Sequence, residues 1–309
     1  MSTILITGGT GLIGNALTKM LLEKGHRLII LSRSPRKSTN NNLNYALWDV
    51  KKQSIDANAI IEADYIIHLA GAGVADKRWS EKRKKEIKES RVQSSTLLVN
   101  ALKNNPNKVK AVIAASATGW YGEDDYQSKG KKPFIEEKPA AKDFLGETCR
   151  LWEASIEPVT ALGIRLVTLR TGIVLSNDGG AYVEFKKPLK MGIAAVLGSG
   201  HQIISWVHIE DICRMYLFAL ENEEIKGAYN AVAPMPVSNK ILMLLLAKKI
   251  KGKFFIPLHV PSFALKIILG EMSIEVLKSA TVSASKIKEA GFTFLYPSIE
   301  IATDQLTGK

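Results

Sequence analysis

The chain has 309 residues, of which 46% are hydrophobic and 23% charged, a balance that predicts a globular protein built as one large α/β unit or as two domains sharing a cleft. Lysine and arginine number 42 against 30 aspartates and glutamates, and the formal net charge of +12 raises nucleic acid as a partner. The densest basic run, SEKRKKEIKES at residues 80–90, is interrupted by three glutamates and has no aromatic side chain to stack on a base. We therefore interpret it as a solvated helix face and predict no nucleic-acid partner.

The most apolar stretch and the cysteines narrow the class of protein further. ILMLLLA at residues 241–247 is far shorter than the ~20 residues of a membrane span, so we predict a buried helix there and no membrane partner. The two cysteines, Cys149 and Cys213, have no metal-like spacing, which favours a reduced compartment and no metal site. The first residues lack the charged and apolar regions of a secretion signal, and we expect a cytoplasmic protein.

Short apolar runs alternate with amphipathic helical patterns through the first part of the chain. Strands are predicted at residues 4–7, 27–31, 64–69, 109–115 and 165–170. Helices are predicted at residues 12–24, 55–63, 80–102 and 144–162. This alternation predicts an α/β fold with a parallel sheet covered on both faces. After Gly172 the pattern gives way to segments punctuated by glycine and proline, with further helices at residues 209–220, 238–250 and 262–278.

A glycine-rich turn follows the first predicted strand. In ILITGGTGLIG the residues Gly9, Gly11 and Gly14 have the dinucleotide-binding spacing, and Gly8 precedes them. Glycine permits a tight turn and a close approach of the backbone, while the start of the following helix supplies free N–H groups to a pyrophosphate. Its position between a strand and an amphipathic helix predicts a nicotinamide dinucleotide site.

The end of the second predicted strand indicates which dinucleotide is bound. An NAD site usually has a carboxylate there for the ribose 2′-hydroxyl, but none occurs between Glu23 and Asp49. Ser32 and Arg33 stand instead where a 2′-phosphate would lie, and a guanidinium can pair with that phosphate twice. We therefore predict NADP(H) over NAD(H). The alternative is that Arg33 is a solvated loop residue.

Several longer motifs carry a family resemblance. TGGTGLIG, LSR, HLAG at residues 68–71 and SATGWYG at residues 116–122 occur in the order seen in extended short-chain dehydrogenase/reductases. ESRVQSSTLL, RTGIVLSNDGGA and LGSGHQIISWVHIEDI resemble the atypical, epimerase-like subgroup, the NAD-dependent epimerase/dehydratase family, subfamily U. The ending is similar to that subgroup's small C-terminal domain of unassigned function, so the resemblance covers essentially the whole chain.

The resemblance implies a Rossmann-type, doubly wound parallel sheet with a smaller C-terminal substrate domain. The NADP(H)-binding domain would take residues 1–175 plus about 203–231, and the substrate domain about 176–202 plus 232–309. The implied cofactor-binding residues are Gly8, Gly9, Thr10, Gly11, Leu12, Ile13, Gly14, Ser32, Arg33, Asp49, Leu69, Ala70 and Gly71. Leu69 and Ala70 also suit a core, and Asp49 suits a turn. His68 is interpreted as a strand histidine, and Trp206, His208 and Asp211 as a cluster that fixes the second domain.

The proton-transfer residues of the superfamily are only partly present. A serine, a tyrosine and a lysine four residues after the tyrosine are usual, and Ser116 matches the serine. In DFLGETCRLWE at residues 143–153 the other two places are taken by Phe144 and Thr148, or by Leu145 and Cys149 after a one-residue shift. Neither phenylalanine nor leucine has a proton to give.

Three other residues are candidates for the missing chemistry. Tyr121 follows Ser116 closely and is either a catalytic residue or a packing tyrosine beside Trp120. Tyr182 has a lysine four residues later, a coincidence or a substrate-side contact. Arg91 is a candidate for contact with a substrate carboxylate or a cofactor phosphate.

Two functions fit these observations. The first is an NADP(H)-binding, epimerase-like oxidoreductase acting on an unknown small polar substrate, with Ser116 and Tyr121, or bound water, moving the proton. The alternative is a non-catalytic NADPH-binding sensor that regulates a partner. The oligomeric state is left open between monomer and homodimer.

Overall fold

The computed structural model describes residues 1–125 and 132–308. Within these ranges the strands are β1 (Thr3–Thr7), β2 (Arg27–Ser32), β3 (Leu43–Asp49), β4 (Ser54–Ile55), β5 (Tyr65–His68), β6 (Ala111–Ala117), β7 (Arg165–Thr171), β8 (Ile173–Leu175), β9 (Ile193–Leu197), β10 (Ile203–Ile204), β11 (Trp206–His208), β12 (Gly227–Ala231), β13 (Val237–Ser238) and β14 (Ile256–Val260). The α-helices are α1 (Leu12–Glu23), α2 (Ala57–Glu62), α3 (Glu81–Asn104), α4 (Phe144–Ile156), α5 (Ala181–Lys190), α6 (Ile209–Glu221), α7 (Asn239–Lys251), α8 (Ser262–Leu269), α9 (Ser273–Leu277), α10 (Ser285–Glu289) and α11 (Ile299–Thr307). Short 3₁₀ helices occur at Thr118–Trp120, Glu157–Leu162 and Gly270–Met272.

The central sheet is doubly wound. Its strand order is β12-β7-β6-β5-β1-β2-β3-β4, with every pair parallel except β3 and β4. The chain builds outward from β1 through β2 to β3 and then crosses to β5, so the strand order reverses between β1 and β5. Ligands of such sheets bind in the crevice outside the carboxyl ends of the strands at this reversal. The predicted Rossmann-type α/β fold is confirmed.

Alternating apolar side chains in the strands form two cores, one on each face of the sheet. In β1, Ile4 and Ile6 pack into the core that includes α1 and α6, whereas Leu5 packs into the core that includes α2 and α3. This is the period of two expected for a strand buried on both faces. The first core also receives residues from near the end of the chain, namely Val282, Ala284, Ile287 and Phe292.

A second, smaller unit has its own core. It is built from α5, β9, α7 and α11, whose buried side chains include Tyr182, Leu189, Leu246 and Leu306. Strand β14 pairs in parallel with β9 in a separate two-stranded sheet. Asp211, at the start of α6, accepts the backbone N–H groups of Leu295 and Tyr296, both at 2.9 Å. This contact supports the interpretation of Asp211 as a structural residue joining the two units.

Two predicted helices differ from the structure, and several strands were missed. The helix predicted at residues 262–278 is broken by the 3₁₀ turn Gly270–Met272, because Gly270 has a φ of 62° that a regular helix does not allow. The helix predicted at residues 144–162 ends at Ile156 and continues as a 3₁₀ helix that has a proline near its start. Strands β3, β4 and β8–β14 were not predicted.

Candidate cofactor and substrate site

The glycine turn joins β1 to α1 at the strand-order reversal. Gly8 has a φ of +69°, and a Cβ there would lie 2.8 Å from the backbone carbonyl carbon of Leu69. A Cβ at Gly14 would lie 2.6 Å from the Gly9 Cα and would also collide with the Gly8 carbonyl oxygen. A side chain at Gly8 would therefore push the turn away from the end of β5. A side chain at Gly14 would push α1 away from the turn.

Helix α1 begins without a side-chain cap. Its N-cap residue is Gly11, whose N–H donates to the Gly8 carbonyl at 3.0 Å, and no side chain accepts from the first turn. The N–H groups of that first turn, which includes Leu12 and Ile13, therefore lack a side-chain partner at the positive end of the helix dipole. A narrow glycine cradle with an uncapped helix start fits a dinucleotide pyrophosphate.

A buried hydrogen-bond chain fixes the neighbouring turn after β5. The Thr7 hydroxyl accepts the N–H groups of Leu69 and Ala70, both at 3.1 Å, and lies 2.7 Å from His68 Nδ1. His68 Nε2 lies 3.0 Å from Ser95 Oγ, which donates to the Arg91 carbonyl. Thr7 must then donate to Nδ1, and the imidazole carries its proton on Nε2. Burial lowers the pKa of His68 to about 3, so the ring is neutral and structural, as the sequence indicated.

The residues expected at the adenosine end lie at the ends of β2 and β3. Ser32 is buried and donates to the Ser34 carbonyl at 2.8 Å, whereas Arg33 is exposed and forms no ion pair within residues 1–125 and 132–308. Asp49 Oδ1 accepts the N–H groups of Lys51 and Lys52 at 2.9 and 3.1 Å. Asp49 thus closes a turn with one oxygen, and its Oδ2 is in neither of these bonds.

Arg91 extends from α3 under the turn after β5. Its Nη1 donates to the carbonyls of Ala72 and Ile87, both at 2.9 Å, and its guanidinium stacks on Trp152, 4.9 Å from the ring centroid. A Cβ at Gly71 would lie 3.1 Å from the guanidinium carbon. Burial lowers the pKa of Arg91 to about 10, which leaves it charged at neutral pH. A cation at this turn is available to a cofactor phosphate or a substrate anion.

The orientation of α4 distinguishes the pair Leu145 and Cys149 from the pair Phe144 and Thr148. A Cβ at Gly119, just beyond β6, would lie 3.2 Å from Leu145 Cβ and 3.7 Å from Cys149 Sγ. Phe144 instead contacts Trp79, with ring centroids 4.9 Å apart. Leu145 and Cys149 therefore face the end of β6, the side on which the resemblance implies a tyrosine and a lysine. Burial raises the pKa of the Cys149 thiol to about 12, so this position holds a neutral thiol.

Ser116 is tied to a group that the sequence did not reveal. Its hydroxyl donates to Glu153 Oε1 at 2.6 Å. The same carboxylate pairs with Arg170 at two points, Nε to Oε1 at 2.8 Å and Nη2 to Oε2 at 2.9 Å. The Arg170 guanidinium stacks on Trp120, with its central carbon 3.6 Å from the ring centroid. Serine, carboxylate and guanidinium thus form one connected group at the carboxyl ends of β6 and β7.

Tyr121 lies on the far side of that group and inside the core. Its side chain is 1% exposed and stacks on Phe134 at 5.1 Å. Its hydroxyl accepts from Arg170 Nη1 at 3.1 Å and donates to Asn230 Oδ1 at 2.7 Å, and burial raises its pKa. Both hydrogen-bonding roles of the hydroxyl are therefore used within the protein. This geometry matches the interpretation of Tyr121 as a packing residue and leaves its hydroxyl no free hydrogen for a substrate.

The structure thus brings most candidates to one edge of the sheet. The glycine turn contacts the turn after β5, Arg91 underlies that turn, and the Cys149 thiol lies beside Ser116 and Arg91. Tyr182 lies apart in the second core, with Lys186 Nζ 4.7 Å above its ring. Glu153 and Arg170 were missed, although an arginine at the end of a buried strand is itself a signal that a carboxylate lies nearby.

Residues 1–125 and 132–308 show neither a membrane-spanning helix nor a cluster of metal ligands. These residues contain no helix that is both long and apolar enough to cross a membrane. Across the same ranges, no three or more histidine, cysteine, aspartate or glutamate side chains are grouped so that they could hold a metal ion.

Comparison with known families and proteins gives a consistent result. Residues 4–231 match the NAD dependent epimerase/dehydratase family, and residues 260–306 match a domain of unknown function, DUF1731. The epimerase family protein SAR0825 of Staphylococcus aureus (strain MRSA252) is 35% identical over 309 residues, which cover 100% of both chains.

Two solved structures are also similar. The human epimerase family protein SDR39U1 (isoform 2) with NADPH matches with a TM-score of 0.85 and 26% identity, covering 99% of each chain. A nucleoside-diphosphate sugar epimerase from Corynebacterium glutamicum matches with a TM-score of 0.79 and 30% identity, covering 99% of this chain and 58% of that one.

Proposed function

The chain belongs to the NAD-dependent epimerase/dehydratase family, and from that premise we propose that it is an NADP(H)-binding, epimerase-like oxidoreductase acting on a small polar substrate. The cradle formed by Gly8 and Gly14 with the uncapped start of α1 supports a dinucleotide. The phosphate-bearing form is supported by the exposed Arg33 at the end of β2 and by the NADPH bound to the similar human protein. A guanidinium pairs well with a 2′-phosphate, which a carboxylate there would repel.

The cofactor residues have separate tasks in this proposal. The glycine turn from Gly8 to Gly14 and the backbone N–H groups of Leu12 and Ile13 hold the pyrophosphate. Ser32 and Arg33 hold the 2′-phosphate, and Asp49 Oδ2 meets the adenine. Leu69, Ala70 and Gly71 lie along the cofactor, and Arg91 contacts a phosphate or a substrate anion. When bound, NADP(H) supplies or accepts a hydride, and the protein supplies geometry and protonation.

One observation carries the catalytic part, the 2.6 Å hydrogen bond from Ser116 to Glu153. Because the serine proton is directed at the carboxylate, the lone pairs of Oγ are left to accept a hydrogen bond from a substrate hydroxyl. Oxidation of that hydroxyl transfers its proton to Ser116 Oγ while the serine proton moves to Glu153, and reduction reverses both steps. Ser116 is 3% exposed, so this proposal requires a substrate hydroxyl to enter the end of β6 in order to contact Oγ.

Arg170 positions the base in this proposal. Its two-point contact holds both oxygens of the Glu153 carboxylate and directs one of them at the serine. This route moves the proton through Ser116 and Glu153, without a tyrosine.

A non-catalytic NADPH-binding sensor is the second candidate. It is favoured by the apolar Leu145 and the neutral Cys149 thiol on the α4 face where the resemblance implies a tyrosine and a lysine. In that case NADPH binding would order the cleft for a partner without turnover.

Absorbance of the nicotinamide, followed with NADPH and a panel of small polar carbonyl compounds, tests the two candidates. We expect turnover that is lost in Ser116→Ala but kept in Tyr121→Phe, whose hydroxyl is buried. Glu153→Gln should also lose turnover, and this variant is compared only where circular dichroism shows that it is folded. Turnover unchanged by Ser116→Ala would contradict the serine–glutamate assignment. Tight NADPH binding without turnover on any compound would support the sensor.

A further inference from the structure

Strand β14 and the residues just before it expose large apolar side chains. Phe254, Ile256 and Leu258 are 88%, 71% and 51% exposed, while Phe255 packs against the second core. Alternate side chains of a strand lie on the same side, so Ile256 and Leu258 share one side of β14, and Phe254 lies two residues before Ile256. Large apolar side chains grouped on a solvent-facing surface mark an interaction site.

Lysines surround this apolar surface. The Ile256 N–H donates to the Gly192 carbonyl at 2.9 Å, which places the 76% exposed Met191 alongside, and Lys251 Nζ donates to the Lys190 carbonyl at 3.1 Å. We call this surface the β14 face and define it as Met191, Phe254, Ile256 and Leu258 with Lys190, Lys251 and Lys253.

The charged side chains of the segment that contains β14 have one sign. Residues 239–269 contain six lysines and no aspartate or glutamate. Lys190, Lys253 and Lys266 are exposed, and none of them forms an ion pair with another described residue. The exposed apolar character continues into α8, where Phe263 and Ile267 are 67% and 69% exposed.

Neither an added β-strand nor a second copy of the chain fits this surface well. A strand added to the free edge of β14 would meet Pro257, which has no N–H to donate in the middle of the strand. A second copy of the chain in a symmetric dimer would place the same uncompensated lysines against each other. An anionic bilayer satisfies both features, because apolar side chains enter the boundary between headgroups and acyl chains while lysines meet lipid phosphates.

We propose that the β14 face docks the protein peripherally on an anionic lipid bilayer. No membrane-spanning segment is needed, because only side chains enter the interface. The proposal replaces the expectation, drawn from the short length of the apolar run at residues 241–247, that the protein has no membrane partner. It is independent of turnover and of the cofactor.

Flotation of the full chain with lipid vesicles tests the proposal. We expect binding to vesicles made of phosphatidylglycerol and phosphatidylcholine in equal parts, weak binding to pure phosphatidylcholine, and loss of binding at high salt. Phe254→Ser with Ile256→Ser should lower the partition coefficient by about a hundredfold, from the loss of two buried apolar side chains. Lys190→Gln with Lys253→Gln should lower it by about tenfold or more.

Matched controls come from the other domain. Ile61→Ser, an exposed apolar residue on α2, and the pair Lys19→Gln with Lys103→Gln should leave vesicle binding unchanged. Circular dichroism and NADPH affinity verify that each variant is folded. Equal binding to neutral and anionic vesicles, or no binding to either, would overturn the proposal. A second result would also overturn it: the chain sediments as a dimer, the double variant Phe254→Ser with Ile256→Ser sediments as a monomer, and neither binds vesicles.

Discussion

Arg170 and Glu153 form a two-point ion pair that connects the end of β7 to the last turns of α4. The guanidinium is almost fully buried, and its remaining donor reaches Tyr121 and the Glu136 carbonyl. The glutamate in turn holds Ser116. The pair therefore stabilises the sheet–helix junction and orients the serine at the same time.

Glu153→Gln should be strongly destabilising. The substitution leaves the buried Arg170 without its countercharge, for which a loss of about 3–5 kcal/mol in the free energy of unfolding is typical. Glu147→Gln on the same helix removes only the exposed pair with Arg150 and should cost less than about 1 kcal/mol. Urea denaturation of both variants measures the difference, and equal losses would show that Arg170 is not dependent on Glu153.

Gly14→Ala should weaken NADPH binding. The added Cβ meets the backbone of Gly8 and Gly9, so the start of α1 must move away from the pyrophosphate site. Losing one hydrogen bond to a charged group costs about 1.5–3 kcal/mol, which is about tenfold or more in affinity. Gly122→Ala is the control, because its Cβ would be at an ordinary 3.5 Å from Ala141 Cβ. Unchanged affinity in a fluorescence titration of Gly14→Ala would argue against this site.

Arg33→Ala should affect the two nicotinamide dinucleotides differently. The exposed guanidinium is expected to contact only the 2′-phosphate, so NADPH affinity should fall by about tenfold to a hundredfold. NADH affinity should stay the same, and Arg150→Ala should change neither. Parallel losses for both nucleotides would mean that Arg33 acts on the fold of the site and does not read the phosphate.

His68 should make stability depend on pH. Its pKa is lowered from 6.5 to about 3 in the folded protein, so between these values the unfolded chain binds the extra proton. The free energy of unfolding should therefore fall as pH falls through this window, with His68 contributing at most about 1.4 kcal/mol per pH unit. In His68→Asn this contribution disappears and the slope is smaller. Urea titrations at several pH values measure it, and identical slopes would contradict a neutral buried histidine.

The two thiols should be inert in the native protein. Cys149 and Cys213 are both buried, and burial raises the pKa of each to about 12, so little thiolate is present at neutral pH. A thiol-reactive chromophore should react slowly with the native chain and fully in urea. Cys213→Ser assigns any residual reaction. Rapid modification of Cys149 in the folded state would show that the α4 face is open to solvent.

Local features were predictable from the sequence, whereas contacts between distant segments were not. The glycine turn from Gly8 to Gly14 is a continuous motif whose strand and helix neighbours are also local. The contacts of Glu153 with Ser116 and Arg170 join residues 37 and 17 positions away, and only the packing of α4 on the sheet brings them together. Similarly, choosing Leu145 and Cys149 over Phe144 and Thr148 required the rotation of α4, because one residue turns a helix by about 100°.

The failure to predict β3 has an equally specific cause. LNYALWD in β3 follows a polar loop, and Leu47 within it is half-exposed, so its apolar alternation is weak. Residues Leu28 to Ser32 of β2 pair with β3, and this pairing cannot be inferred from the β3 sequence alone. Strand propensity here is decided by position in the sheet.

Residues near the end of the chain pack against the central sheet, and this affects the order in which the core can form. Val282, Ala284, Ile287 and Phe292 fill the same core as Ile4 and Ile6. The side chains that complete this core are therefore among the last to be synthesised. We therefore expect a chain truncated before residue 282 to leave part of this core exposed to solvent.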